Sequence, residues 1–359
     1  PATLNLKLAG PDHQSVALAT STREINNIGI RSKSKSDISR VSSPVRNLST
    51  DRQDSENVVL IRKGEISNGA SLLFTEGCSL QEVSIPITRP RKWDCDHPNL
   101  YTLDAWLQIN ERTVEILQER FGFRDCKVVG TELLVNGRPV KLRGVCRHEA
   151  HPLRGRSLTP EVWRRDAEMI KAMNCNFVRT SHYPPADAFL KHCDELGLFV
   201  ELEAPICWER EYDPNVVEAY LQGTHETVVQ GYNHPSVIFW SLGNESTWNQ
   251  GFTETHNLMR KLDPYRPVIF HSASLSNDDL LCDLTNVHYP GLGGPQDYAS
   301  VNRPVLFGEY CHLGRINHQE KITDPGLRDY FGFDFAEMWE RMYNSKNIIG
   351  GAIWCGTDE

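Results

Sequence analysis

Two glutamates end strongly apolar runs of this sequence, and their side chains could act together. Glu245 ends "SVIFWSLGNE", and Glu309 lies at the end of "PVLFGEY". Neither has a Lys or Arg within three residues, so no charged sequence neighbour explains either of them. Two carboxyl groups on opposite sides of one bound group suit glycoside hydrolysis, in which one protonates the leaving oxygen and the other is the nucleophile.

The elements that would position these residues follow a regular alternation from about residue 135. Strand-like runs are separated by helix-like stretches, the first of which starts with Thr159 as N-cap and Pro160 at the first helical position. Eight such runs predict a parallel (β/α)8 TIM barrel. A doubly wound open sheet is the alternative, but it normally has fewer strands, and no Gly-rich phosphate loop follows the first run. The runs are "VKLRGVCRH", "NFVRTSH", "LFVELEA", "SVIFWSLGNE", "PVIFHSA", "LTNVHYP", "PVLFGEY" and "IIGGAIWCG".

Polar and ionisable residues stand at the ends of most of these runs. In a barrel these ends share one face, which is where the chemistry occurs. Each residue alone has a structural explanation, such as an ion pair with an arginine or an aromatic core contact. A whole set at an apolar mouth costs desolvation energy and therefore indicates function. The set comprises Arg147, His148, Glu149, Arg179, Ser181, His182, Tyr183, Glu201, Glu203, Asn244, Glu245, His288, Tyr289, Glu309, Tyr310, His312, Trp354 and Asp358.

The first part of the chain has a different character. Residues 1–134 alternate short apolar and polar stretches, which predicts an antiparallel β-sandwich. Residues 31–56 are rich in Ser and charge and lack periodicity, which predicts a mobile insertion. Residues 135–359 are assigned to the barrel. The last strand runs into the end of the sequence, so we expect a barrel truncated at its C-terminal end.

The composition of the chain excludes several classes of binding partner. The chain has 359 residues and a net charge of −9, so there is no basic excess for nucleic acid or an anionic membrane. No apolar stretch of about 18 residues predicts a membrane span. Ten cysteines without a C-x-x-C pair argue against a zinc or iron–sulfur site and favour a reducing compartment such as the cytoplasm. A homo-oligomer is compatible with the sequence.

Six ordered motifs make the chain resemble glycoside hydrolase family two, the β-galactosidase and β-glucuronidase family. The resemblance runs from about Pro90 to Glu359 and includes "HPNLYTL", which is similar to the linker strand of that family. The motif "NHPSVIFWSLGNES" is specific in itself. The other motifs are "GVCRHEAHPLRG", "NFVRTSHYP", "CDELGLFVELEA", "LFGEYCH" and "GGAIW". This resemblance implies that the sandwich predicted for residues 1–134 is immunoglobulin-like.

The resemblance implies a role for individual residues. It implies that Glu245 is the general acid/base and Glu309 the nucleophile of a retaining, exo-acting enzyme. Asn244 would bind the sugar 2-hydroxyl. We expect burial and a neighbouring carboxylate to raise the pKa of Glu245, and Tyr289 and Arg179 to keep Glu309 ionised. The implied sugar-pocket residues are His148, Arg179, His182, Tyr289, His312 and Trp354, with Trp354 as a stacking platform.

The sequence also departs from the family. Where one galactosidase branch has a Glu-x-His magnesium pair, the aligned residues are Cys207 and Glu209. Magnesium prefers oxygen ligands, so we predict that no metal and no other cofactor is required. "RHEAH" lacks the spacing of the zinc motif H-E-x-x-H. A β-galactosidase-like enzyme is favoured by "RHEAHPLRG" and "SHYP". The alternatives are a β-glucuronidase or another β-glycosidase, a catalytically silent carbohydrate-binding homologue, and an unrelated barrel enzyme such as a metal-dependent hydrolase.

Overall fold

The computed structural model describes residues 2–12, 23–25, 58–62, 80–84, 87, 89–272, 281–311 and 330–356. The chain divides into two compact units, of which the first comprises residues 1–93 and 99–124 and the second residues 94–98 and 125–359. Residues 125–134 thus belong with the second unit by their contacts, whereas the sequence pattern places the boundary after residue 134. The insertion at residues 31–56 lies outside the described residues.

The first unit contains antiparallel sheets built on alternating side chains. One sheet has the strand order β2-β1-β5-β6, and β3 pairs with β4. Along β5, Tyr101, Leu103 and Ala105 are buried while the residues between them are partly exposed. This period of two places one face of the strand in the core. The strands are β1 (Ala2–Ala9), β2 (Arg23–Ile25), β3 (Val58–Arg62), β4 (Leu80–Ser84), β5 (Tyr101–Ile109) and β6 (Arg112–Phe121).

The second unit is a (β/α)8 barrel, as the alternation of runs predicts. Its eight parallel strands have the order β14-β13-β12-β11-β10-β17-β16-β15, and among the described residues no ladder pairs β14 with β15. Three short antiparallel strands precede the barrel, namely β7 (Cys126–Val129), β8 (Glu132–Val135) and β9 (Arg138–Pro139). The barrel strands are β10 (Leu142–Arg147), β11 (Phe177–Thr180), β12 (Phe199–Glu203), β13 (Val237–Ser241), β14 (Val268–Ile269), β15 (Thr285–His288), β16 (Val305–Tyr310) and β17 (Ile348–Ile353).

Helices cover the outside of this barrel. Thr159 is the N-cap of the first and Pro160 begins it, as predicted. The strands β12, β13 and β16 are buried along their whole length, because a barrel strand packs against core on one face and helices on the other. The helices are α1 (Pro160–Ala172), α2 (Asp187–Leu196), α3 (Val217–Gly231), α4 (Gln250–Leu262), α5 (Gly294–Asp297) and α6 (Phe335–Asn344), with a π-helical turn at Tyr330–Asp334.

The cysteines of the described part of the chain lie largely inside the fold. Of these nine cysteines, four are buried and five are half-buried. The buried thiols therefore pack as small apolar side chains.

None of the described helices combines the length and apolar character that crossing a membrane requires.

A buried histidine ties helix α2 to the start of strand β13. His234 donates from Nδ1 to Asp194 Oδ2 at 2.6 Å and from Nε2 to Asp187 Oδ1 at 3.1 Å, and both aspartates belong to α2. The backbone N–H of Ser236 donates to the other oxygen of Asp194 at 3.0 Å. Burial lowers the pKa of His234, but the two carboxylates outweigh it and raise this pKa to about 9.

We predict that this contact stabilises the barrel in a pH-dependent way. Because the pKa of His234 is higher in the folded chain than in the unfolded chain, its stabilisation is complete below about pH 6.5 and is lost as the pH rises to about 9. His234→Gln should lower the free energy of unfolding on the order of 3 kcal/mol at pH 6. Urea unfolding of both proteins from pH 5.5 to 9.5 measures the difference.

His192→Gln is the matched control, because His192 pairs with Glu195 on the same helix but at its surface. Equal pH dependence for the two variants would contradict the role given to His234.

Candidate active site

Backbone pairing continues beyond the barrel strands and carries the site residues with it. The N–H of Asn244 donates to the Ile206 carbonyl at 2.8 Å, and the N–H of Trp208 donates back to the Asn244 carbonyl at 3.0 Å. On the other side of the mouth, the N–H of Tyr289 donates to the Glu309 carbonyl at 2.7 Å. The loops at the mouth are therefore held in register by the same ladder that builds the barrel.

Three of the residues at this mouth have left-handed backbone conformations. The φ angles of Glu245, Tyr289 and Trp208 are 40°, 49° and 61°, values that cost energy for residues with a Cβ. Gly243 has a φ of +149°, and a Cβ there would lie 2.5 Å from the Ile206 carbonyl oxygen. The absence of a side chain at Gly243 therefore lets the backbone pass close to Ile206 just before Asn244.

The centre of the site is the guanidinium of Arg179, which is fully buried. Its Nη1 donates to Glu309 Oε1 at 2.7 Å, and its Nη2 donates to Asn244 Oδ1 at 2.7 Å. Two further bonds, from Nε at 2.9 Å and from Nη2 at 3.0 Å, hold the two oxygens of Glu203. One cation thus connects strands β11, β12 and β16 with the loop after β13.

Glu203 is held as an anion by two donors. Burial raises its pKa, but Arg179 and the ring of His182 hold this pKa well below its usual range. His182 Nδ1 lies 2.8 Å from Glu203 Oε1 and 3.1 Å from Arg179 Nη2. His182 Nε2 faces Glu309 Oε1, at 4.0 Å. Glu203 thereby orients two groups that contact or face Glu309.

Glu309 is only 2% exposed and receives the two donors that the sequence analysis proposes. Arg179 donates to Oε1, as described, and the Tyr289 hydroxyl donates to Oε2. Donors on both oxygens fix the orientation of this carboxyl group, which the sequence analysis expects to be the nucleophile. Gly308 allows this position, because a Cβ there would meet Asn286 Oδ1 at 2.3 Å and the His271 ring at 2.5 Å.

Glu245 has a different environment from the one that the sequence predicts. His288 Nδ1 lies 3.1 Å from its Oε1, and Trp208 Nε1 donates to its Oε2 at 3.0 Å. These hydrogen bonds outweigh partial burial and lower the pKa of Glu245 to about 2. The expectation of a raised pKa is therefore wrong for the unliganded protein, because two nitrogen donors, neither of them recognised as such from the sequence, contact the carboxylate.

The two carboxyl groups come close together at the barrel mouth. Carboxylate oxygens of Glu245 and Glu309 lie within 4.8 Å of each other. His288 stands between them, with Nδ1 at 3.1 Å from Glu245 Oε1 and 3.6 Å from Glu309 Oε1. Two carboxyl groups this close can both face one bound group.

The other residues proposed for the sugar pocket are partly gathered at one side of the mouth. The Trp354 ring stacks on His182 with centroids 5.2 Å apart and planes 8° apart. His148 packs edge-on against both rings, and its Nδ1 lies 3.2 Å from the Tyr183 hydroxyl. His312 and Asp358 lie outside the described residues.

Two clusters at the mouth have the spacing of metal ligands, namely Glu201, Glu203 and His271, and Glu245, His288 and Glu309. Their carboxylates do not fit a divalent ion well, because Arg179 already occupies oxygens of both clusters. The guanidinium donates to both oxygens of Glu203 and to Glu309 Oε1. At the position of the family's magnesium pair, Cys207 Sγ accepts a bond from Asn244 Nδ2 at 3.5 Å. The prediction of no required metal stays a prediction.

Three residues with close contacts in this site were not singled out as site residues from the sequence. His271 follows β14 in the same way as the other polar residues follow their strands, so its position at a strand end was an available signal. His288 was noted at a strand end but given no role. Trp208 lies in a loop, is 63% exposed, and gave no pattern from which its bond to Glu245 could be foreseen.

Comparison with known proteins identifies the family. Residues 126–323 match the family model "Glycosyl hydrolases family 2, TIM barrel domain", and residues 23–124 match "Glycosyl hydrolases family 2". The chain therefore belongs to glycosyl hydrolase family 2. Its immunoglobulin-like sandwich and its TIM barrel are the domains that these two models describe.

Curated relatives and solved structures agree with this assignment. The chain is 30% identical over 328 residues to a β-galactosidase of Vibrio cholerae, covering 85% of this chain and 31% of that protein. It is also 30% identical to a β-galactosidase of Photobacterium profundum, covering 77% and 27%. The chain thus spans less than a third of the length of these relatives.

Among solved structures, a β-galacturonidase of Eisenbergiella tayi bound to galacturonate has a TM-score of 0.70 at 25% identity. That match covers 78% of this chain and 56% of the other. A β-D-glucuronidase of Dictyoglomus thermophilum has a TM-score of 0.72 at 21% identity, with coverages of 99% and 57%. The second likeness shows the fold alone.

We predict that Arg179 is required for the stability of the barrel. Arg179→Met removes the one guanidinium that holds Glu203 and Glu309, and it should lower the free energy of unfolding by about 3 to 5 kcal/mol at pH 7. The loss should shrink near pH 4, where protonation removes the uncompensated charge. Arg164→Met is the control, because it breaks an exposed ion pair with Glu168. Equal urea midpoints for the two variants would contradict the prediction.

Proposed function

We propose that the chain is the catalytic part of a retaining, exo-acting β-glycoside hydrolase of β-galactosidase type. The observation that carries the proposal is the pair of carboxyl groups at the barrel mouth, with oxygens within 4.8 Å. Retaining enzymes place their two carboxyl groups at about 5 to 5.5 Å and inverting enzymes at about 6.5 to 9.5 Å. Membership of family 2 supports the same reaction class.

In the first step Glu309 attacks the anomeric carbon. Arg179 and Tyr289 fix its two oxygens, so the attacking lone pair is oriented before the sugar arrives. As the bond to the leaving oxygen breaks, the carboxyl proton of Glu245 passes to that oxygen. The sugar becomes an ester of Glu309, and the aglycone leaves as an alcohol.

In the second step Glu245, now a carboxylate, takes a proton from water. The hydroxide oxygen attacks the anomeric carbon, the bond to Glu309 breaks, and Glu245 again holds its proton. Asn244 contributes by binding the 2-hydroxyl, a contact that strengthens in the oxocarbenium-like transition state. Its Oδ1 accepts from Arg179, which directs Nδ2 away from the arginine and fixes the orientation of the amide.

The sugar-binding wall is formed on the side of His148, His182 and Trp354. Because one face of Trp354 stacks on His182, its other face is the one available to a sugar ring. Relatives named β-galactosidase at 30% identity favour a galactoside. A uronide is the alternative, because the structurally similar proteins include a β-galacturonidase at 25% identity.

We predict different losses for the two glutamine variants. Glu309→Gln should reduce hydrolysis of every aryl β-glycoside by a factor of about 10⁴ or more, because no covalent intermediate forms. Glu245→Gln should lose a factor of about 10² to 10⁴ on alkyl β-glycosides and much less on the first step with 2,4-dinitrophenyl glycosides, whose leaving group needs little protonation. A panel of β-galactosides, β-glucuronides and β-galacturonides measures the rates and identifies the sugar.

Azide supplies a control on the two assignments. With Glu245→Ala it should intercept the glycosyl-enzyme and give a β-glycosyl azide, whereas with Glu309→Ala it should enter the space left by the side chain, attack directly and give the α-anomer. Thermal unfolding checks that both variants fold. The same product anomer from both variants, or similar modest losses, would contradict the assignment. A wild-type chain that binds sugars but hydrolyses none would favour a silent homologue.

We further predict that chelation leaves the reaction unchanged. Arg179 supplies the positive charge beside Glu309, and Cys207 occupies one position of the family's magnesium pair. Dialysis against EDTA should therefore change kcat/KM by less than about two-fold, with rates measured before and after re-addition of Mg²⁺. A large loss that Mg²⁺ restores would show a metal site that this set of side chains does not suggest.

A further inference from the structure

A row of four side chains runs from the buried interior of the barrel to Glu245. It begins at Glu201, which is fully buried on β12. Glu201 Oε1 contacts His271 Nε2 in a short hydrogen bond. His271 Nδ1 lies 2.8 Å from His288 Nε2, and His288 Nδ1 lies 3.1 Å from Glu245 Oε1. We call these four residues the Glu201–Glu245 chain.

Hydrogen-bond chemistry allows this chain two complete arrangements. In the first, the Glu201 carboxyl donates to His271, His271 donates from Nδ1 to His288, and His288 donates from Nδ1 to the Glu245 carboxylate. In the second, every bond is reversed, so that Glu245 is the acid and Glu201 the carboxylate. Each contact has one donor and one acceptor in both arrangements.

We propose that the Glu201–Glu245 chain is a proton relay that supplies the acid/base, with Glu201 as the reserve acid and His271 and His288 as carriers. This inference rests on the proposed function, because it concerns the proton that Glu245 gives to the leaving oxygen. Three protons each move across one hydrogen bond. Glu201 loses one, both histidines stay neutral with their protons on the opposite nitrogens, and Glu245 gains one.

The surroundings of the Glu201–Glu245 chain favour the first arrangement in the unliganded protein. Burial raises the pKa of Glu201, and its Oε2 has no hydrogen-bond partner among the described residues, which is costly for a carboxylate and tolerable for an acid. Burial lowers the pKa of both His271 and His288, so each ring is neutral and can carry a proton. Glu245 has a low pKa and therefore accepts the hydrogen bond from His288 as a carboxylate.

Other charged groups face the Glu201–Glu245 chain along its length. At the buried end, Arg179 Nε lies 3.8 Å from Glu201 Oε1, and Glu203 Oε2 lies 3.7 Å from His271 Nε2. Arg179 therefore compensates the charge on Glu201 once the proton has left. The Cys146 thiol contacts Arg179 Nη1 at 4.0 Å, and burial raises the pKa of that thiol, so it adds no charge.

At the other end, Glu309 Oε1 lies 3.6 Å from His288 Nδ1, and the Tyr289 ring packs edge-on against His288 with centroids 5.8 Å apart. Trp208 donates to Glu245, and the His182 ring interacts electrostatically with Glu245. Burial raises the pKa of the Cys207 thiol, so this thiol adds no charge. A bound sugar that removes water from Glu245 favours the neutral form of this carboxyl group. It therefore shifts the Glu201–Glu245 chain to the second arrangement.

Glu201→Gln tests the relay. The amide can still form a hydrogen bond with His271 but has no proton to release, so it cannot supply one to Glu245. With an alkyl β-glycoside, kcat/KM at pH 7 should fall by about ten-fold or more, and the alkaline limb of the pH profile should move to lower pH. With a 2,4-dinitrophenyl glycoside the first step should stay within about two-fold of the wild-type rate, because this leaving group needs no acid.

Asp194→Asn is the matched control, because it also converts a buried carboxyl to an amide but lies on helix α2, away from the mouth. It should leave the ratio of rates on the two substrates unchanged. His271→Phe interrupts the chain at another point and should reproduce the effect of Glu201→Gln. Equal losses on both substrates, or wild-type rates on the alkyl glycoside, would overturn the relay.

A readout that needs no turnover separates this proposal from the proposed function. As Glu201 ionises with rising pH, His271 should move its hydrogen from Nδ1 to Nε2, which ring ¹⁵N chemical shifts report. In Glu201→Gln the hydrogen should stay on Nδ1 from pH 5 to 9. The same pH response in both proteins would contradict the relay, even if no glycoside is hydrolysed. Undiminished hydrolysis by Glu309→Gln would contradict the proposed function alone.

Discussion

The buried guanidinium of Arg179 is the interaction on which the rest of the mouth depends. Its donors face Glu203 on β12, Asn244 after β13 and Glu309 on β16, so strands that are far apart in sequence share one charge. A buried cation costs several kcal/mol unless its partners are well placed. The barrel must therefore bring these groups together in order to fold, and in doing so it forms the geometry that we propose for catalysis.

Around the positive charge of Arg179, the mouth contains more carboxyl groups than cations. Glu201, Glu203 and Glu309 all lie against one guanidinium. Glu203 takes both Arg179 and His182, whereas Glu201 keeps only a distant contact with Arg179 and the ring of His271. Two glutamates that are two residues apart on one strand thus differ in protonation, because their neighbours differ. A neutral Glu201 follows from this imbalance, and it makes a reserve acid available.

The sequence predicts the barrel and the meeting of Glu245 with Glu309, since both follow from apolar runs that end at one face. It also predicts the donors Arg179 and Tyr289. The strand-end position of His271 makes it a candidate, but its contacts and the low pKa of Glu245 could not be predicted. They depend on which ring nitrogen faces which neighbour, which no pattern of residue types encodes. The register also shifts at Val287/His288 between β15 and β16.

The position and the protonation of Glu245, the proposed acid/base, are controlled by different parts of the structure. The left-handed backbone of Glu245 and Tyr289 is strained, and the ladder bond from Tyr289 to the Glu309 carbonyl helps to hold such a conformation against relaxation. The backbone therefore fixes where the carboxyl groups lie. Whether Glu245 carries a proton depends instead on side chains behind it, which exchange donor and acceptor without moving the backbone. A carboxylate with a low pKa in the empty site is compatible with acid catalysis for this reason.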